Sequence, residues 1–256
     1  MLFRSHPRTF RFLWNLFHLR RFVDKLIDQR RREEPQDDLL SMLVAAEEEG
    51  QKMSHSQVRA EALTLLLAGH ETTAVALTWT WYLLSQNPEC EARLHAELDS
   101  LLQGKPPTVE DLAKLDYTRR VLDESLRLKP PAYLIDRNPS QDINVHGYCI
   151  PKGSYVFVSP YATQRNPEFF PDPLKFDPDR WLPERIKERP LYSYFPFGVG
   201  PRACIGQSFA LMEAMLVIAT VASRWRFVLD PTQKIDTDPK ITLRPRYGMR
   251  MTIHQR

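Results

Sequence analysis

Residues 197–206 read Phe197-Gly198-Val199-Gly200-Pro201-Arg202-Ala203-Cys204-Ile205-Gly206. The cysteine stands at the mouth of an apolar run with helical spacing, Ile205 to Ser223, behind a loop of glycine and proline. Free backbone N–H groups at a helix start, together with the helix dipole, favour a thiolate over a thiol. Glycines carry no Cβ, so their backbone can lie close against a flat ligand. Arg202, two residues before the sulfur, can pair with a carboxylate on that ligand. A lone cysteine is most often buried and inert. Ten consecutive positions that each suit a separate task in holding one planar, acid-bearing group argue for ligation through sulfur.

The rest of the composition leaves that reading room. A chain of 256 residues suits one large domain or a fragment of a larger one, and 43% hydrophobic with 26% charged residues is ordinary for a globular protein. A net charge of +3 is too small to argue for a nucleic-acid partner. Cys90, Cys149 and Cys204 are distant and odd in number, which excludes a disulfide framework and a paired-cysteine zinc site and suits a reducing compartment. The seven histidines have no spacing that suggests metal binding. No apolar run approaches the ~20 residues of a membrane-spanning helix. Met1 to Arg21 holds five arginines and no acid, with Phe10, Leu13, Trp14 and Phe17 at helical spacing. Such a stretch reads as an amphipathic helix with its apolar stripe on the core, and secondarily as a presequence or a basic interfacial helix.

The first half of the chain is helical in pattern. Leu39 to Ala46 forms an apolar patch, followed by an acidic turn at Glu47 to Gly50. A long helix of about 54–86 starts at Ser54 as N-cap and is interrupted by Gly69. Asn87-Pro88 caps and opens the next helix, with Glu89 and Glu91 in its first turn and Gly104 beyond its end. Thr108 with Asp111 opens a short helix, and a further one of about 117–128 stops at Pro130-Pro131. Twenty-one prolines stand against nine glycines, and they crowd between Pro130 and Pro201, so extended and irregular chain takes over there. Strand-like runs appear at Ala132–Ile135, Ile143–Val145 and Tyr155–Val158, a meander follows at about 166–190, and the tail from Trp225 alternates like a hairpin. The fold class is mainly α with a small β region (α+β).

Two more constellations stand out. Ala68-Gly69-His70-Glu71-Thr72-Thr73 puts a glycine, an acid and two threonines inside a helix, residues that form helix poorly. Threonine back-bonding and a solvated Glu would be the plain explanation. Glu124-Ser125-Leu126-Arg127 places an acid and an arginine on one helix face, where a surface ion pair is commonplace.

The pattern Phe-x-x-Gly-x-Arg-x-Cys-x-Gly resembles the haem-ligand signature of the cytochrome P-450 family, and the resemblance extends in order over nearly the whole chain. It implies a cytochrome P-450 fold binding heme b, with Cys204 as axial thiolate ligand of the iron and Phe197 and Gly206 beside the ring. By the same resemblance, Ala68 and Gly69 make room for dioxygen on the long helix, Thr72 hydrogen-bonds it, and Glu71 helps relay protons. Glu124, Arg127 and Arg180, in Phe176-Asp177-Pro178-Asp179-Arg180-Trp181, become a buried triad that locks the meander onto the helix behind the haem. Arg137 and Arg202 face haem propionates, and Ala132, Tyr133, Leu134, Ile135 and Ile241 line an apolar substrate pocket.

The expected function is a monooxygenase that takes electrons from a ferredoxin or flavoprotein reductase and inserts one atom of dioxygen into a small lipophilic substrate, in a cytoplasmic setting. The family's early helices, first strands and Trp-x-x-x-Arg element have no counterpart here, so the expected domain is N-terminally truncated, with an open pocket and exposed apolar surface. Two alternatives follow: a non-catalytic fragment with weak or no haem binding, and peroxide-driven haem-thiolate chemistry.

Overall fold

A computed structural model describes residues 7–48 and 50–256. His6, the first part of the basic stretch and Glu49 of the acidic turn lie outside the described residues. The chain divides into two compact units, 1–70 and 71–256.

In the first unit, α1 (Pro7–Arg30) buries Val23 and Ile27, one turn apart, against Val58. Leu40, Leu43 and Val44 of α2 (Leu39–Ala45) complete that small core. Asp38 caps α2 by accepting from the Ser41 N–H at 2.8 Å. The Arg30 guanidinium hydrogen-bonds the same carboxylate and, with that cap, holds it down at about 2. Phe10, Leu13, Trp14 and Phe17 are exposed, which corrects the core-facing reading of that stripe. Within this unit the buried contacts of α1 begin only at Val23. A tight hairpin pairs β1 (Glu47–Glu48) with β2 (Gln51–Lys52) where an acidic turn was expected.

Helix α3 (His55–Gln86) opens on a reciprocal cap: the Ser54 N–H donates to Gln57 Oε1 at 2.8 Å, and the Gln57 N–H to Ser54 Oγ at 3.3 Å. It runs unbroken through Gly69, contrary to the expected interruption. One glycine costs a helix about 1 kcal/mol relative to alanine, too little to stop a cooperative ladder of 32 residues.

The core of the second unit joins the end of α3 to α4 (Pro88–Leu102), α5 (Asp116–Leu128) and α8 (Gln207–Ala222) through Leu84, Leu94, Leu98, Leu122 and Ile218. Ala214, Ala219 and Ala222 keep α8 slim where it packs. Asn87 is the N-cap residue of α4 and Pro88 its first residue, as expected, but the Asn87 side chain does not bond the N–H groups ahead. Its amide donates to the Leu83 carbonyl at 2.7 Å and so closes the end of α3. The Thr108–Asp111 capping box opens a 3-10 turn over Val109–Lys114.

After Pro131 the strands are short antiparallel pairs. β3 (Ile135–Arg137) pairs with β6 (Val156–Val158), and β4 (Ile143–Val145) with β5 (Tyr148–Ile150). β7 (Trp225–Leu229) pairs with β10 (Met251–Gln255), enclosing a second pair of β8 (Thr237–Pro239) and β9 (Leu243–Pro245). Ala132 to Leu134 are not strand, because their carbonyl neighbourhood is taken by other partners: Tyr133 O accepts the Ser159 hydroxyl at 2.9 Å. β5 was missed in the sequence. Its turn uses positive φ at both His146 and Gly147, a pairing that fits a two-residue hairpin although histidine is a rare choice there. The meander carries α7 (Pro183–Lys187) and a 3-10 turn at Pro178–Trp181, preceded by the single turn α6 (Pro160–Thr163).

Candidate functional site

The cysteine loop is shaped by its glycines. Gly198 and Gly200 adopt φ of +72° and +71°, values that L side chains rarely take. The loop closes when the Cys204 N–H donates to Phe197 O at 2.8 Å and the Ala203 N–H to Gly200 O at 3.0 Å. Helix α8 starts at Gln207 with Gly206 as N-cap, so Cys204 lies just outside the helix and its side chain is exposed. A Cβ on Gly206 would sit 3.9 Å from Cys204 Sγ, an ordinary contact, so the sulfur itself does not demand glycine there. Phe197 is half-buried against the core and anchors the loop.

Behind the loop stands Gln164, which sequence reasoning did not single out. It is fully buried and joins α5 to the loop. Its amide donates to the carbonyls of Leu126 and Arg127 at 3.1 Å each, and its Oε1 accepts from the Phe195 N–H at 2.9 Å. No local pattern marks such a glutamine. Its partners are brought together only by the fold.

Helix α5 is buried along almost its whole length although it carries Asp123, Glu124, Ser125 and Arg127. Such groups need partners to survive burial. Arg127 donates to Glu124 through two bonds of 2.8 Å and to the carbonyls of Gln164, Pro173 and Lys175. Glu124 also accepts from the Asp177 N–H at 2.9 Å and the Trp181 indole at 3.1 Å. Arg180 approaches Glu124 to 3.3 Å through Nε, without the alignment of a hydrogen bond, and is held mainly by the Asp172 carbonyl at 2.8 Å. The structure therefore brings Glu124, Arg127 and Arg180 together and adds Trp181, whose role was not read from the sequence. One residue before Glu124, burial pushes the Asp123 carboxyl up, and it accepts the Tyr194 hydroxyl at 2.9 Å.

On α3, the Glu71 carboxylate is exposed on one side and accepts the hydroxyl of buried Thr242 at 2.7 Å. Thr72, the next residue, is half-buried, whereas Ala68 and Gly69 are exposed. Two turns further on, the Trp79 indole donates to Leu243 O at 2.7 Å. The same turn between β8 and β9 is tied to the segment after Pro130. The Leu243 N–H donates to Pro131 O and the Tyr133 hydroxyl to Lys240 O, both at 2.9 Å. Ala132, Tyr133 and Ile135 are half-buried, Leu134 is exposed, and Ile241 is 91% exposed at the tip of the turn. The Ile135 terminal methyl lies 3.8 Å from where a Cβ of Gly198 would stand, so this segment touches the cysteine loop at its other end.

Two guanidinium groups stand open near these elements. Among the described residues, exposed Arg202 has no ion-pair partner, and exposed Arg137 donates to the Asp136 carbonyl. Ile205, Phe209 and Val199 leave apolar surface bare around the cysteine. Among the described residues, no three His, Cys, Asp or Glu side chains converge to hold a bare metal ion. An exposed thiol, bare apolar surface and exposed arginines suit the iron, the ring and the propionates of a haem. The residues fit that group.

The family model for Cytochrome P450 matches residues 2–251. Cyclooctatin synthase of Streptomyces melanosporofaciens is 46% identical over 232 residues, spanning 89% of this chain and 50% of that protein. Pentalenene oxygenase of Streptomyces avermitilis is 41% identical over 227 residues, 88% of this chain and 51% of that protein. Among solved structures, that of a cytochrome P450 (CYP102L1) superposes with a TM-score of 0.89 at 30% identity, covering 98% of this chain and 58% of that one. Retinoic acid bound cyanobacterial CYP120A1 gives a TM-score of 0.89 at 33% identity, over 93% and 55% of the two chains. The chain spans about half the length of the curated relatives it matches.

Proposed function

The chain belongs to the cytochrome P450 family, and from that premise we propose that it carries the haem-thiolate half of a monooxygenase acting on a lipophilic substrate. The observation that carries this reading is the exposed thiol of Cys204, on a residue whose backbone N–H donates to the Phe197 carbonyl just ahead of α8. Bound there, heme b supplies the chemistry that activates dioxygen.

The chain's own residues do the rest. Cys204 holds the group through sulfur, just ahead of α8. Arg137 and Arg202, both exposed, take the propionates. Glu71, exposed on one side, picks up protons from water and passes them inward, and Thr72 orients the oxygen that receives them. Ala132, Tyr133, Leu134, Ile135 and Ile241 offer an apolar wall that excludes water from the substrate. Electrons come from a ferredoxin or flavoprotein reductase. A cytoplasmic setting fits, and among the described residues no helix is long and apolar enough to cross a membrane.

A second reading, a non-catalytic fragment that binds haem loosely, draws on the bare apolar surface. Ile205 is 91% exposed, and Leu66, Leu67 and Phe209 are exposed as well. Peroxide-driven chemistry is the weaker alternative, since it has no use for an acid held as Glu71 is. One experiment separates these readings. The haem-reconstituted chain is reduced under carbon monoxide and its spectrum recorded. A strongly red-shifted Soret band that disappears in Cys204→Ser supports thiolate ligation. A band at the imidazole position, or no uptake of haem, refutes it.

A further inference from the structure

The turn between β8 and β9 is fastened on both flanks and bare at its tip. Leu243 is gripped by the Trp79 indole and by Pro131 O, Lys240 O accepts the Tyr133 hydroxyl, and Ile241 projects outward. Between them sits Thr242, 3% exposed, whose hydroxyl donates to Glu71 Oε1 at 2.7 Å. A buried hydroxyl has few places to go. Thr242 is locked by its backbone: Thr242 O accepts N–H groups from Lys240 at 3.2 Å and Arg244 at 3.1 Å. The acid, by contrast, ends a flexible side chain on the exposed side of α3. A rigid donor facing a mobile acceptor fixes the acceptor.

We propose that Thr242 is a positioning residue for the proton relay, holding the Glu71 carboxylate beside Thr72 and away from free rotation into solvent. This rests on the monooxygenase reading above. A carboxylate bound through one oxygen keeps its second oxygen for the proton it carries, and the geometry sets where that proton is delivered. Without the hydroxyl, Glu71 samples several rotamers, and proton delivery to the oxygen side falls out of step with electron supply. Dioxygen is then released as hydrogen peroxide, by two electrons and two protons, in place of its cleavage.

The test uses the haem-reconstituted full chain with Thr242→Val, Thr242→Ser, Glu71→Gln and the Thr242→Val/Glu71→Gln double variant. After reduction with a measured amount of dithionite, air is admitted and the peroxide formed per electron is determined. Thr242→Val is expected to raise that yield several-fold, Thr242→Ser to return it to within about twofold of the parent, and the double variant to match Glu71→Gln alone. Thermal midpoints of the apo chains are expected to show the same non-additivity, which reads the contact without any turnover. A Thr242→Val yield equal to the parent's, with Glu71→Gln altered, overturns the proposal and leaves the monooxygenase reading standing. Full additivity in both measurements also overturns it. If the parent's reduced carbonyl spectrum lacks the red-shifted band, the monooxygenase reading fails first and the proposal with it.

Discussion

Arg127 and Glu124, three residues apart on α5, face each other through two parallel N–H···O bonds of 2.8 Å, and neither side chain is open to water. A surface pair at this spacing contributes only a few tenths of a kcal/mol. Here the arginine also satisfies three backbone carbonyls of the following segment, so the pair binds the meander to the helix. Glu124→Gln leaves Arg127 and Arg180 without their shared counter-charge. A loss of about 3–5 kcal/mol is expected in urea unfolding, as for other broken buried pairs. A loss under about 1 kcal/mol would mean that the carbonyls, not the carboxylate, hold Arg127.

Gln164 offers a test of how the cysteine loop is supported. Gln164→Leu fills nearly the same volume but strands the Phe195 N–H and two carbonyls at the end of α5. Each buried group left unpaired costs ~1–3 kcal/mol. Stability and haem retention are expected to fall together, measured by urea unfolding and by haem transfer to a myoglobin apoprotein. Retention unchanged in a destabilised protein would show that Gln164 supports the core but not the loop.

His95, half-buried on α4, predicts a pH effect. Burial, with Arg256 nearby, pushes its imidazole down to about 4. The unfolded chain takes up the proton near 6.5, so below that pH unfolding gains protons that the folded state refuses. Stability is therefore present above about 6.5 and declines as pH falls towards about 4. His95→Gln is expected to flatten this part of the curve relative to the parent. Equal slopes for the two proteins over that window would remove His95 as the cause.

Arg137 and Arg202 make no ion pair among the described residues, so their removal tests the cofactor directly. A charge-assisted hydrogen bond is worth about 1.5–3 kcal/mol. Arg202→Ala and Arg137→Ala are each expected to speed haem loss ~10-fold or more. Folding stability of the apo protein should stay within about 0.5 kcal/mol, since both side chains are exposed. An unchanged rate of haem loss in both variants would place the propionates elsewhere.

How far the sequence carried these conclusions depends on the range over which each feature acts. The boundaries of α5 and α8, the cap at Ser54, the Thr108–Asp111 box and the glycine turns of the cysteine loop are local. They follow from residues within a few positions of one another, and a reader of the chain can find them. The chain around Cys204 is legible for the same reason, because its glycines, arginine and sulfur are contiguous. The breakdowns were local choices settled elsewhere. Gly69 does not interrupt α3, because its neighbours sustain the ladder. Asn87 stands at the N-cap of α4 as read, but its amide bonds the Leu83 carbonyl of α3 and caps no N–H ahead. Ala132 to Leu134 stayed out of the sheet, where the Ser159 hydroxyl claims the Tyr133 carbonyl.

What the sequence determined by itself was the family and the helical frame, and it put forward the sulfur on which the proposed site turns, since contiguous chemistry needs no folding to be read. Only the tertiary structure decided that Thr242 meets Glu71 across 171 residues, that Gln164 braces the loop and that Trp181 joins the Glu124 cluster. Many threonines, glutamines and tryptophans could have made those bonds. Chain closure brings one of each within hydrogen-bond reach, and a buried polar group must take the partner that packing delivers.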